Sequence, residues 1–193
     1  MTAARKGLGT IGLCLLLGFC GAMAQANLPS VVAAQSDIGF VSHQMGVPIA
    51  GSFRSFDVQM SFDPATPQKG RLAISVDVTS VELPTDDAMR EVVKPAWFDA
   101  QHFPRAVFES SAIRGLDRGR YEITGSLTIK GHAREVVVPV VLEQTGELTF
   151  ASGALVVHRL DFSIGEGDWT DTSVVDDDVQ IKFRLALSGI GPI

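Results

Sequence analysis

Four histidines, two cysteines and a few close pairs of opposite charge are the residues of this chain that could do chemistry, and their spacing assembles none. His43, His102, His132 and His158 lie far apart, and no two have the spacing of a local metal pair on a strand or helix. His132 falls in the turn signal Lys130-Gly131-His132 and is expected to be solvated. Asp176-Asp177-Asp178 lacks the spaced oxygen ligands and turn glycine of a calcium loop, so it reads as a solvated turn before the last strand. Arg159 and Asp161 are two residues apart, and on a strand they would share a face opposite Leu160, Phe162 and Ile164. That arrangement predicts an outward ion pair. There is no Gly-x-Ser-x-Gly, no His-Glu-x-x-His and no phosphate-cradling glycine loop. The expectation is a protein that is not an enzyme and holds no metal.

The remaining candidates are apolar, and the elements that carry them alternate with period two. Met60 and Phe62 alternate with Gln59 and Ser61, and Leu72, Ile74, Val76 and Val78 with polar or small neighbours. Tyr121 to Ile129 and Val179 to Leu187 do the same. Side chains of a strand point to opposite faces in turn, so each stretch offers one apolar and one polar face. Val136 to Leu142 is apolar on both faces apart from Pro139, which suits packing against a second surface, with the proline at an edge or bulge. Turn signals such as Asp63-Pro64, Gly115 to Gly119, Thr145-Gly146 and Gly165-Glu166-Gly167 separate the runs. One segment reads as helix: Thr85 to Val93 follows Pro84, opens with Asp86 and Asp87, and is capped near Thr85. It leads into an aromatic segment containing Trp97-Phe98 and Phe103. The pattern predicts one all-β domain, an antiparallel barrel of about eight strands. Such a barrel either fills its interior with side chains or holds one small ligand, and alternation fits both.

The N-terminus reads as a separate segment. Arg5 and Lys6 precede the apolar run Leu8 to Phe19, and Ala22-Met23-Ala24 offers small residues for cleavage. This is the secretory pattern, with cleavage after Ala24 or Ala26, so residues 1–24 are a leader and 25–193 the domain. An uncleaved anchor and a lipid-modified Cys20 are the other readings. The run is shorter than the roughly 20 residues of a spanning helix, and bulky Phe19 does not suit lipidation. Both cysteines, Cys14 and Cys20, leave with the leader, so the domain must hold together by burial without a disulfide. Losing Arg5 and Lys6 leaves 14 basic against 22 acidic residues, a net charge of −8. That balance excludes nucleic acid as an expected partner and gives no reason for stable membrane insertion. A periplasmic or secreted location is expected.

Four stretches carry a resemblance. They are Ser36-Asp37-Ile38-Gly39-Phe40-Val41-Ser42-His43-Gln44-Met45-Gly46 with Gly51-Ser52-Phe53-Arg54-Ser55-Phe56; Pro95 through Phe108; Tyr121 through Gly131; and Arg159 through Gly165, closing on Asp168-Trp169. In this order, over nearly the whole domain, the chain resembles the YceI-like family of exported polyisoprenoid-binding, lipocalin-like proteins. It departs from the family pattern in three places. Thr85 to Lys94 lacks an Arg-Asp-x-His-Leu stretch, Trp97 stands where phenylalanine is common, and Ser163 replaces a common glycine.

The resemblance implies an eight-stranded lipocalin-like barrel with an apolar tunnel. It also implies an isoprenoid ligand, a polyprenyl phosphate or a quinone, and in some members a homodimer. The candidate lining is Phe40, Phe53, Phe62, Leu72, Ile74, Val76, Trp97, Phe98, Phe103, Phe108, Ile123, Leu127, Phe162 and Phe183, with His43 as a head-group contact. Beyond the bound lipid, no cofactor is expected. The alternative reading is a filled barrel that dimerises through Val136 to Leu142 as a ligand-free interaction or stress-response module.

Overall fold

The alternating segments form one curled antiparallel sheet in the computed structural model, which describes residues 29–193. The leader expected over residues 1–24 lies outside the described residues. The strands are β1 (Ser30–Val31), β2 (Asp37–Gln44), β3 (Val47–Phe53), β4 (Phe56–Ser61), β5 (Arg71–Asp77), β6 (Val81–Glu82), β7 (Arg105–Gly115), β8 (Arg120–Ile129), β9 (His132–Thr145), β10 (Leu148–His158) and β11 (Asp178–Ser188). The sheet order is β4-β5-β7-β8-β9-β10-β11-β2-β3-β6, with β1 paired to β11.

The expected eight strands become eleven, and the difference has a simple origin. Two of the eleven, β1 and β6, are two residues long. Two more, β3 and β4, are separated only by Arg54-Ser55, yet pair at opposite ends of the sheet: β3 with β2, and β4 with β5. They are one strand bent at its middle, and counting them as one leaves eight long strands. The bend closes the barrel covalently, because the ladder itself does not run all the way round. β1, hydrogen-bonded to β11, lies against β4 across that seam.

The one helix, α1, spans Asp86–Val92. Its N-cap is Thr85, whose hydroxyl accepts from the Ala88 N–H at 3.2 Å, and Asp86 and Asp87 occupy the positive end of the helix. Short 3-10 turns at Arg159–Phe162 and Gly167–Thr170 follow β10.

Two expectations about exposed strands resolve here. Pro139 pairs with Glu122 of β8, and the ladder from β9 to β10 stops at Val140 opposite Gly153. The proline therefore marks the point where β9 becomes an edge. Val138, Val140 and Leu142 face inward and are buried, while Val137 and Val141 face outward, 54% and 38% exposed.

Arg159 corrects the sequence reading. It is not on a strand and not outward: it opens a 3-10 turn and is 3% exposed. The strand assumption failed because β10 ends at His158, and the following turn rotates the side chain into the protein. Asp177 is also more than a solvated turn residue, since its carboxylate accepts from the Leu160 N–H at 2.9 Å and anchors that turn.

Candidate lipid-binding cavity

A cavity of about 660 Å³ runs through the barrel, and its wall is almost wholly apolar. Of the fourteen lining candidates, thirteen are on this wall: Phe40, Phe53, Phe62, Leu72, Ile74, Val76, Trp97, Phe98, Phe108, Ile123, Leu127, Phe162 and Phe183. Phe103 is not. Its ring lies over Gly131 in the β8–β9 turn and is 37% exposed, because Pro104 and the turn after Asp99 carry it outside the barrel. His43 is not on the wall either. Phe40, Ser42 and Gln44 take the inward positions of β2, so His43 points outward, with Nδ1 3.8 Å from Asp176. The head-group role expected for His43 is withdrawn on that alternation.

The interior is hollow although phenylalanines fill much of its wall, and inward-facing glycines show how. A Cβ on Gly51 would sit 2.7 Å from Cε1 of Phe40, its cross-strand partner. A Cβ on Gly153 would sit 2.6 Å from Cζ of Phe183, again its partner in register. A Cβ on Gly125 would sit 2.6 Å from Cζ of Phe108, here a diagonal neighbour, since Gly125 pairs with Ser110. In each case the tip of the ring lies against a glycine on the neighbouring strand. Larger side chains there would force the rings toward the axis, and the interior would approach a filled core.

The barrel ends differ. At one, Phe62 and Tyr121, whose rings meet edge-on at 5.4 Å, line the wall with Leu142, Leu187 and the exposed Arg71. Burial raises the Tyr121 phenol above its ordinary pKa. At the other end the wall includes Ser42, Gln44, Trp97, Trp169, and Asp87 and Glu91 of α1. Asp87, 92% exposed, shows that the cavity meets solvent here. The two carboxylates are paired with Arg90 of the helix and with Lys94 just beyond its end.

Two buried cations hold the loops of this mouth. Arg159 donates from Nε to the Asp176 carbonyl, from Nη1 to Ile164 and Gly165, and from Nη2 to Trp169 and Val175, at 2.7–3.2 Å. A guanidinium has five N–H donors, so none is left for a ligand. Desolvation lowers its pKa, and the charge of Asp177 opposes that. Lys130 donates to the carbonyls of Pro95 and Ser163 and to the Glu166 carboxylate, at 2.7–2.8 Å. Between them they fix the segments that carry Trp97, Phe98 and Trp169. The indole rings of Trp97 and Trp169 sit 5.3 Å apart. Trp97 Nε1 is the one buried side-chain polar atom without a hydrogen-bond partner among the described residues.

Sequence reasoning missed both cations. Lys130 drew attention only as part of a turn signal, and Arg159 looked like a strand-surface residue. The available signal was their place within the second half of the resembling stretches. Among the described residues, no cluster of three His, Cys, Asp or Glu side chains is gathered for a metal.

A curled antiparallel barrel with an apolar bore and a loop-built mouth defines a lipocalin-like binding fold. The YceI-like domain family matches residues 30–187, and the chain belongs to that family. The crystal structure of BcnA from Burkholderia cenocepacia superposes with a TM-score of 0.79 at 43% identity, covering 81% of this chain and 99% of that one. A polyisoprenoid-binding domain from Saccharophagus degradans has the same fold, with a TM-score of 0.67 at 17% identity, over 84% of this chain and 99% of that one. A UPF0312 protein of Azotobacter vinelandii is 26% identical over 124 residues, 64% of this chain and 65% of its own length. Another from Ectopseudomonas mendocina is matched over 51% of its length, so the chain spans between half and two thirds of these two relatives.

Proposed function

We propose that this protein is an exported carrier that holds an isoprenoid-type lipid, a quinone or a polyprenyl phosphate, in the barrel and catalyses no reaction on it. The observation that carries the reading is the apolar cavity of about 660 Å³, within the size range of small-molecule sites. The Saccharophagus degradans relative of the same fold, described as polyisoprenoid-binding, supports the ligand class. The N-terminal leader pattern supports a periplasmic or secreted location.

Magnitudes favour a long tail. Burial is worth about 0.8 kcal/mol per CH₂-sized group, roughly 4 kcal/mol per five-carbon unit. Association costs on the order of 4–15 kcal/mol in lost freedom, so roughly two to four units must be enclosed before binding is useful.

Native mass spectrometry of protein purified from its own host tests the proposal. The expected result is a co-purifying lipid, lost on organic extraction. Bare protein in repeated preparations that also fails to take up added isoprenoid would overturn it. The second reading, a dimerising module, has the exposed Val137, Val141 and Val156 in its favour, and the same spectra report the oligomeric state.

A further inference from the structure

The β2–β3 hairpin turns through Met45-Gly46, with φ of 49° and 77°. Two successive residues at positive φ make a turn of the type I′ class, whose first position favours Asn, Asp or Gly. Methionine is a poor choice there, because its Cβ crowds the backbone in the left-handed region. Met45 is also 72% exposed, and Val47 beside it is 58% exposed. The hairpin therefore carries backbone strain and exposed apolar surface at once, and folding explains neither.

Of the four other non-glycine residues at positive φ, Asp99 pairs its carboxylate with His102 at 2.9 Å and Ser163 ends the Arg159–Phe162 turn. Lys130, at φ 48° in the β8–β9 turn, uses its side chain for three hydrogen bonds. Arg118, at φ 57°, exposes a charge that water solvates well.

Position supplies the meaning. Gln44, the residue before the turn, is on the cavity wall and bridges to Val175, and Met45 N–H donates to the Val174 carbonyl at 2.9 Å. The apolar tip thus stands beside the open mouth. Phe103, outside the barrel over the Gly131 turn, adds a third exposed apolar side chain at the same end.

We infer that the Met45–Val47 tip is a docking point that sets the cavity mouth on a lipid surface, so that a lipid passes between surface and bore with little exposure to water. The surface must lack strong negative charge. Asp176 lies beside the hairpin, its N–H donating to the His43 carbonyl at 3.0 Å, and the chain is acidic overall. Contact is peripheral and reversible, since two or three side chains reach only the outer layer. The purpose assigned to the contact rests on the lipid-carrier reading; the contact itself does not.

The test has two arms. In the first, partitioning onto phosphatidylcholine vesicles is measured by co-sedimentation for the full folded domain, for Met45→Asn/Val47→Thr and for Leu116→Asn. Leu116 is 44% exposed on the β7–β8 turn at the opposite end. Loss of two apolar contacts is expected to weaken partitioning about tenfold, with Leu116→Asn unchanged. Asparagine suits the turn, so the melting temperature should hold or rise. No partitioning by the parent protein, or equal partitioning by all three, overturns the inference; the former leaves a protein partner as the occupant of the tip. In the second arm geranylgeraniol is supplied either from cyclodextrin or from the vesicles. The double variant should load normally from cyclodextrin and slowly from vesicles. Failure of the parent to load from cyclodextrin would count against the carrier reading alone, because the first arm stands without a ligand.

Discussion

The guanidinium of Arg159 lies 6.0 Å from the ring of Trp97 and spends all five of its donors on backbone carbonyls of the loops around that ring. The cation is a scaffold for the cavity mouth, and it is unavailable to a phosphate. Replacing it by methionine leaves five carbonyls without a donor in a buried place. Arg159→Met should cost about 3–5 kcal/mol, the range for breaking a buried charged network. Urea unfolding measures it. Arg159→Lys should recover only part, because an ammonium cannot reach five acceptors spread over a plane.

The glycines beneath Phe40, Phe108 and Phe183 keep the bore open. Gly51→Ala should push the Phe40 ring toward the axis, at a stability cost of about 1–3 kcal/mol for overpacking. Isoprenoid uptake should fall more than stability does. A crystal structure with the ring unmoved would refute the explanation.

Leu127 faces the bore near the C-terminal end of β8, paired with Phe108. Leu127→Trp adds bulk where the lipid tail is placed, and should reduce uptake roughly four- to fifteenfold by removing room for one to two buried carbon groups, at about 0.8 kcal/mol each. The circular-dichroism spectrum should stay that of the parent. Unchanged uptake would place the tail elsewhere.

Asp77 caps the turn that buries Val78. Its carboxylate accepts from the Thr79 hydroxyl and N–H at 2.7 and 2.9 Å, and these bonds lower its pKa. The folded-state pKa lies below the unfolded one. The stabilisation is therefore present above the unfolded carboxylate range and is lost as pH falls through the folded value. Asp77→Ala should lose about 0.5–2 kcal/mol at neutral pH, typical of a lost cap, and the gap to the parent should shrink on acidification. A gap constant from neutral to strongly acidic pH would remove Asp77 as its source.

Alternation made most of the strands readable. Leu72-Ile74-Val76 and Ile123-Leu127 point inward because a strand sends every second side chain to one face, whatever its neighbours are. Thr85 as the cap of α1 was readable for the same kind of reason: the signal lies within four residues. His43 was misplaced against the alternation of its own strand, which turns it away from the bore that Ser42 and Gln44 line, whereas Phe103 was misplaced where local pattern gives way to turn geometry. The exact turn after Asp99 decides where Phe103 goes, and it depends on contacts with Gly131 some thirty residues away.

The sequence by itself determined an all-β chain with one apolar face, one short helix, no disulfide in the domain and no catalytic motif, because each of these is a property of spacing or composition. Only the tertiary structure decided that the barrel is hollow, that a single strand bent at Arg54-Ser55 closes it, and that Arg159 and Lys130 are buried posts of its mouth. Those facts depend on which residues face one another across strands. Phe40 lies over Gly51 and Phe183 over Gly153 only because the register sets them opposite. Alternation records which face a residue takes, whereas register decides whether the space between the faces is filled.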